Sequence, residues 1–170
     1  ISIVCPDPFF YSVDKQVTIF SGIEPKFEFP FSNESVTEPL LILGEIVNKK
    51  EETVFYTGDA ETGVTITIHA IGEASNIIIY NTGTREVMRI DTDKLEAYTG
   101  SGIILGDDII INTSQGHKSI TLVRGGFTTN ILNCLNKDSD WFKLVKGDNI
   151  FAYTAETGSE NLQFKIESRI

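Results

Sequence analysis

Two adjacent carboxylates and a nearby histidine are the residues of this chain whose types suggest chemistry. Asp107 and Asp108 follow Gly106, and His117 follows a polar Asn-Thr-Ser-Gln-Gly tract. A histidine that acts as a general base, oriented by a carboxylate and placed beside a nucleophile, is a common arrangement in hydrolases. The stretch therefore raises hydrolysis as one function to test.

The elements that position these residues indicate a hairpin. Asp beside Gly is typical of a turn that enters a strand, because Asp bonds the nearby backbone and Gly adopts unusual dihedral angles. Ile109–Ile111 reads as a strand, Asn112–Gly116 as a loop, and Ser119–Val123 as the next strand. The loop by itself places no nucleophile beside a base. The sequence thus favours a structural role for all three side chains and a protein that is not an enzyme.

Short β-like runs separated by turn residues dominate the rest of the chain. Val64–Ala70 alternates between apolar and polar residues, which is typical of a half-buried strand. Asn76–Tyr80 and Glu86–Ile90 flank the turn Asn81–Gly83 and are predicted to pair as a hairpin. Further strands are predicted at Gln16–Phe20, Lys26–Phe31, Val54–Tyr56, Asp148–Thr154 and Asn161–Ile166.

These runs predict an all-β fold, either a sandwich or a barrel. Helix is predicted only at Asn130–Asn136, for one or two turns. Two segments echo each other, since Tyr56–Gly63 and Tyr153–Gly158 share Tyr-Thr at the start and Ala-Glu-Thr-Gly at the end. Each precedes a strand, and two similar hairpins explain the echo more simply than a repeat.

Composition limits the classes of protein that the chain can represent. The 170 residues fit one domain spanning residues 1–170. The net charge of −10 disfavours nucleic-acid binding, and no apolar run approaches the ~20 residues that cross a bilayer. The chain starts at Ile1, so we expect a fragment of a longer protein. Cys5 and Cys134 form no Cys-x-x-Cys pair, and both reduced thiols and one long-range disulfide stay open.

Metal-binding patterns are weak. His69 and His117 are far from each other and from the cysteines in sequence, which gives little support to a structural zinc site. Asp91–Asp93 resembles the start of a calcium loop, but Leu95 stands where a ligand is expected. We therefore expect no metal and no cofactor.

Aromatic residues offer the remaining candidate for a binding site. Trp141, the one tryptophan, precedes Phe142, and Tyr98 lies elsewhere in the chain. Trp141 and Tyr98 are the candidates for stacking against a sugar ring. The alternative for Trp141 is an anchor in the core, because large aromatic side chains bury about 150–250 Å².

Several short motifs resemble, in order, the C-terminal part of distal tail proteins of siphophages, which are bacteriophages with long, non-contractile tails. Cys5–Tyr11 resembles the start of that part. The similarity is strongest from Gly106 onward, through a Gly-Asp, an Ile-Asn-Thr, a Gly-x-Lys, a Trp-Phe-x-Leu and a Gly-x-Asn motif. These lie at Gly106–Thr113, Gly116–Lys118, Ser139–Leu144, Gly147–Asn149 and Asn161.

The resemblance implies a structural protein of the virion. In this family an N-terminal domain forms a six-membered ring that continues the tail tube. The C-terminal domain is an all-β, galectin-like antiparallel β-sandwich of jelly-roll type, with at most one short helix, and projects outward as an adapter. This chain would be that domain without the ring-forming part, at the tail tip of a virion assembled in the bacterial cytoplasm. The implied partners are other tail-tip or baseplate proteins, with no nucleic acid and no membrane insertion.

Two other functions stay open. A carbohydrate-binding module would recognise bacterial surface polysaccharide through Trp141 or Tyr98. The galectin likeness concerns shape, and the chain lacks the His, Asn, Arg, Trp and Glu pattern that galectins use for galactose, so sugar binding is not inherited from the fold. A hydrolase would require His69 or His117 bonded to a carboxylate within a cleft.

Overall fold

A computed structural model describes residues 15–25 and 44–169 of the chain. The predicted strand Lys26–Phe31 and the segment Cys5–Tyr11 lie outside the described residues. The other predicted strands are confirmed, with shifted bounds.

The larger of the two main sheets has six antiparallel strands in the spatial order β1-β12-β5-β8-β9-β10. Its strands in chain order are β1 (Lys15–Ile19), β5 (Thr65–Ala70), β8 (Asp108–Asn112), β9 (Ser119–Arg124), β10 (Phe127–Asn130) and β12 (Leu162–Arg169). The stretch around Asp107 and Asp108 is the β8–β9 hairpin, in which Asp108 pairs with Val123 and Asn112 with Ser119. The predicted hairpin is therefore confirmed.

The smaller main sheet has four antiparallel strands in the order β4-β11-β6-β7. These are β4 (Glu51–Tyr56), β6 (Ser75–Asn81), β7 (Glu86–Ile90) and β11 (Gly147–Thr157), and the predicted pairing of Asn76–Tyr80 with Glu86–Ile90 is confirmed. A separate two-stranded sheet pairs β2 (Ser21–Pro25) with β3 (Gly44–Asn48).

The two main sheets face each other across one hydrophobic core. Alternation along each strand explains the burial, because successive side chains point to opposite faces. In β5, Ile66, Ile68 and Ala70 are buried whereas Thr65, Thr67 and His69 are half-buried on the outer face. The ring of Tyr153 from the four-stranded sheet stacks on Phe164 from the six-stranded sheet, with centroids 3.8 Å apart. The predicted all-β sandwich is therefore confirmed.

The two echoing segments were predicted to be hairpins, and this prediction is wrong. Each segment connects the four-stranded sheet to the six-stranded sheet. Tyr56–Gly63 leads from β4 in the four-stranded sheet to β5 in the six-stranded sheet, and Tyr153–Gly158 leads from β11 to β12 in the same way. Because β4 is antiparallel to β11 and β5 is antiparallel to β12, the two connections lie at opposite ends of the sandwich. Periodicity within a strand cannot show which sheet the following strand joins, which is why the sequence suggested hairpins.

The α-helix of the sandwich lies at α1 (Thr92–Thr99), where the sequence analysis placed none. The Asp91 carboxylate accepts hydrogen bonds from the Asp93 and Lys94 amides and caps the helix N-terminus, and Gly100 ends it with a φ of 85°. Asp91, considered above as a calcium ligand, is thus a helix cap. The predicted helical turn at Asn130–Asn136 is a 3-10 turn at Leu132–Cys134. The expectation of at most one short α-helix is confirmed among the described residues.

Candidate functional site

Asp107 forms a buried ion pair with Arg124, the last residue of β9. Asp107 is 1% exposed, and the Arg124 guanidinium donates to both carboxylate oxygens, Nε to Oδ1 at 2.8 Å and Nη2 to Oδ2 at 2.6 Å. The same guanidinium donates to Ser101 Oγ and to the carbonyl of Gly102. Hydrogen bonding to Asp107 raises the pKa of Arg124. A charge-assisted, two-pronged pair of this kind fixes the loop that precedes β8.

The loop before β8 ends in a tight turn over Ile104–Asp107. The Asp107 amide donates to the Ile104 carbonyl at 3.2 Å, and the Asp107 carboxylate accepts from the Ile104 amide at 2.9 Å. Gly106 at the third position has a φ of 86°, which favours glycine. The predicted strand-entry turn is therefore confirmed, and Leu105 within it is 71% exposed.

Asp108 points to the outer face of the six-stranded sheet and bonds a histidine there. His69 Nδ1 lies 2.7 Å from Asp108 Oδ1, and the two residues are direct cross-strand partners in β5 and β8. Both side chains are more than a third exposed. The pair lies on an open sheet face rather than in a cleft, so a histidine bonded to a carboxylate is present without the enclosure that a hydrolase requires.

The three residues that suggested a reaction centre are not brought together. Asp107 is buried before β8, Asp108 faces outward from its first position, and His117 is exposed in the loop at the other end of the strand. A cavity of about 220 Å³ opens beside α1 and the β6–β7 hairpin, and neither histidine lines it.

The described residues contain neither a metal-binding cluster nor a membrane-spanning helix. Within those residues, no group of three or more His, Cys, Asp and Glu side chains could hold a metal ion. Cys134 is a buried free thiol, and burial raises its pKa, while Cys5 lies outside the described residues. No helix in the described part of the chain is long and apolar enough to cross a membrane.

Trp141 and Tyr98, the candidates for sugar stacking, lie at opposite ends of the β8–β9 hairpin. Trp141 is half-buried, packs against the core and has the Lys118 ammonium 5.3 Å from its ring centroid. Tyr98 is exposed in the last turn of α1, where the neighbouring Thr99 hydroxyl donates to the Ser101 carbonyl. The structure therefore does not combine them into one platform.

An exposed apolar surface surrounds the Asp107–Arg124 pair. We call the exposed side chains of Ile71, Ile104, Leu105 and Phe127 the apolar end surface. Phe127 is the cross-strand partner of Arg124, which places it on the same side of the sheet as the guanidinium. The Gly106 amide donates to the Ala70 carbonyl, which brings Ile71 beside the turn that carries Ile104 and Leu105.

Sequence reasoning missed Arg124 and Phe127. Both flank Gly125-Gly126, and a two-glycine sequence between β-like runs is a hairpin signal that could have paired them. That Arg124 reaches Asp107 depends on the β8–β9 register and on which face each side chain takes, and neither is visible in sequence alone.

Comparison with protein families matched residues 57–168, more than half of the chain, to the siphovirus-type tail component, C-terminal domain. The match includes seven of the strands that build the two main sheets and all four residues of the apolar end surface. Comparisons with curated proteins and with solved structures gave no match. The chain belongs to the siphovirus-type tail component family, and it is a structural component of a phage tail.

Proposed function

We propose that this chain is the outward-facing adapter domain of a distal tail protein, which links the hub at the tail tip to receptor-binding or other tail-tip proteins. The observation that carries the proposal is the family match over residues 57–168, which covers the C-terminal domain of the tail component. Residues 1–170 then form one β-sandwich domain of a longer protein whose N-terminal domain forms a six-membered ring.

The arrangement of side chains supports a binding role without turnover. The buried Asp107–Arg124 pair holds a loop in place and lies beneath exposed apolar side chains. His69 and Asp108 form a cross-strand pair on an open face, which needs no reaction to explain it. An adapter requires a rigid framework with an exposed surface for another protein, and both are present.

The mass of the longer tail protein in solution tests the adapter proposal. Light scattering should give a six-membered ring for the protein that carries its N-terminal domain, and a monomer for residues 1–170 alone. A monomeric longer protein would contradict the assignment to the tail hub.

Binding of bacterial surface polysaccharide is the alternative function. Trp141 retains partial exposure, but Lys118 lies over its ring and Tyr98 is at the other end of the hairpin. Quenching of Trp141 fluorescence by purified cell-wall polysaccharide would support this alternative, and a Trp141→Phe variant that still binds the polysaccharide would count against Trp141 as its site.

A further inference from the structure

We propose that the apolar end surface and the outer edge of β10, which no described strand covers, together dock an extended segment of another tail protein, in which apolar side chains are flanked by lysine or arginine. This inference rests on the proposed adapter function and specifies its contact surface and the chemistry of its partner.

The edge strands of the two main sheets differ in how they are protected. An edge strand exposes unpaired backbone groups, and proteins usually protect it with charge or with a covering segment. Strand β1 carries Lys15, which bonds Glu167, and β4 carries Glu51 and Glu52. The edge of β7 is covered by the 135–140 segment, since the Asp140 amide donates to the Val87 carbonyl at 2.8 Å. The edges of β4 and β7 are therefore protected, whereas β1, with Val17 and Ile19 exposed, carries a charge at its first residue alone.

Strand β10 differs from the other three edge strands. Its sequence is Phe-Thr-Thr-Asn, with no charge and no proline, and Phe127, Thr128 and Asn130 are exposed. On the side away from β9, no described strand pairs with it. An uncharged, β-branched edge of this kind favours addition of an extended segment from another chain through backbone hydrogen bonds.

Two turns fix the backbone that carries the apolar side chains. Gly125 and Gly126 have φ values of 57° and 83°, so the β9–β10 connection is a two-residue turn of the type that matches strand twist. Phe127, 80% exposed, follows this turn directly, and Leu105 stands on the turn that Arg124 braces. A backbone that is held in place before binding loses little conformational entropy on contact, which favours Phe127 and Leu105 as anchors.

Charged side chains border the apolar end surface. Glu73 and Glu160 are exposed beside Ile71, whose amide donates to the carbonyl of the residue that follows Glu160. Lys50 donates to the neutral Ser159 hydroxyl at 2.9 Å and keeps its charge, whereas Arg124 is neutralised by Asp107. Among the described residues of this rim, Glu73 and Glu160 therefore outnumber the Lys50 ammonium, and the whole chain has a net charge of −10. A segment with basic residues around its apolar side chains complements it, whereas a second acidic copy of this chain does not.

The experiment measures binding of the domain to each of the other tail proteins of the phage, purified singly, by calorimetry. Phe127→Ser and Leu105→Ser test the apolar end surface. Phe55→Ser is the matched control, because Phe55 is 54% exposed on β4, an edge strand of the other sheet. Hydrogen exchange of the domain with and without the bound tail protein reports which backbone amides become protected.

We expect one tail protein to bind, with affinity at least ~10-fold lower for Phe127→Ser and Leu105→Ser and unchanged for Phe55→Ser. The amides of β10 should gain protection, and Glu73→Gln with Glu160→Gln should weaken binding and reduce its dependence on salt. If both surface variants bound with the affinity of the wild-type domain, this inference would be overturned, and the adapter function would still stand. Failure of every tail protein to bind would overturn both. A domain that dimerises through β10, and dissociates on Phe127→Ser, would replace the partner with a second copy.

Discussion

The two ends of the sandwich place their charges differently. At the end formed by residues 71–74, 100–107 and 125–126, the ion pair Asp107–Arg124 is buried beneath exposed apolar side chains. We call the opposite end, formed by residues 57–64, 113–118 and 143–147, the charged end. There Lys143 bonds Glu61 at 2.9 Å and Lys146 bonds Asp59, with all four side chains more than half exposed.

This difference shows that ion pairs at the two ends serve different purposes. Water and salt screen the pairs at the charged end, so they contribute little to folding and keep that end hydrated. The Asp107 carboxylate is shielded from water, so its negative charge is stabilised by the two hydrogen bonds from the Arg124 guanidinium. The first end therefore gains a fixed loop with an apolar exterior, which suits contact with another protein, and the second gains solubility.

Removal of Asp107 should have the largest effect on stability. Asp107→Ala leaves a guanidinium that is 25% exposed without its carboxylate partner, and should lower the free energy of unfolding by about 3 kcal/mol. Urea denaturation at pH 7 measures the change. Glu61→Ala, which breaks a pair at the charged end, is the matched control and should leave the midpoint where it is. Equal midpoints for the two variants would show that the ion pairs at the two ends contribute equally to stability.

Loss of the helix cap should have an intermediate effect. Asp91 caps α1, whose C-terminus leads into the braced loop, and Asp91→Ala should cost about 1 kcal/mol at pH 7. A hydrogen bond from the Lys94 amide lowers the pKa of Asp91 in the folded protein. Its contribution is therefore full above the unfolded pKa of about 4 and is lost as the pH falls through the lower folded value.

Stability measured at decreasing pH checks the direction in which the contribution of Asp91 changes. The difference in unfolding free energy between the wild-type protein and Asp91→Ala should shrink as the pH drops from 6 to about 2. A difference that grows on acidification would show that the carboxylate is not the stabilising form. Glu160→Ala, which removes an exposed carboxylate away from the helix cap, serves as the control.

Asp108, next to Asp107 in sequence, should matter much less. Asp108→Asn keeps the size of the side chain and weakens a pair that is more than a third exposed, so the cost should be below about 1 kcal/mol. Asp107→Asn, measured in the same way, should cost clearly more because its site is buried. Thermal unfolding of both variants gives the comparison, and a reversed order would show that burial does not decide the role of each aspartate.

The exposed pairs at the charged end should have the smallest effect. Lys143→Ala and Lys146→Ala together should leave the melting temperature unchanged in 0.15 M salt, since both ammonium groups remain in water. Thermal unfolding in 0.5 M salt should likewise give the same melting temperature for this double variant and the wild-type protein. A clear loss of stability at low salt alone would mean that these pairs act as a network.

Much of the fold follows from local patterns. The alternation in Val64–Ala70 and the turn at Asn81–Gly83 correctly predicted β5 and the β6–β7 hairpin, because period and turn chemistry are local properties. Helix α1 was missed although Asp91 and Gly100 bracket it, because its first turn was considered as a calcium loop. The echoing segments were assigned to hairpins because the sheet that each strand joins is decided by tertiary packing.

The candidate site was less accessible to sequence reasoning. The Gly106-Asp107 turn was predicted, but its pairing with Arg124 depends on contacts between residues distant in sequence. The sequence of β10 alone does not mark it as an exposed edge strand. It is recognised as one only by comparison with the other edge strands of the two main sheets. Family resemblance supplied the role in the phage tail, and the structure supplied the surface that we assign to it.

A cryo-EM reconstruction of the intact tail tip would show where this domain sits and which surface it uses. We expect six copies of the domain around the hub, each with Phe127, Leu105 and the edge of β10 against a neighbouring tail protein. Copies whose apolar end faces solvent while another face holds the partner would contradict the docking surface. Absence of the domain from the tail tip would contradict the adapter function itself.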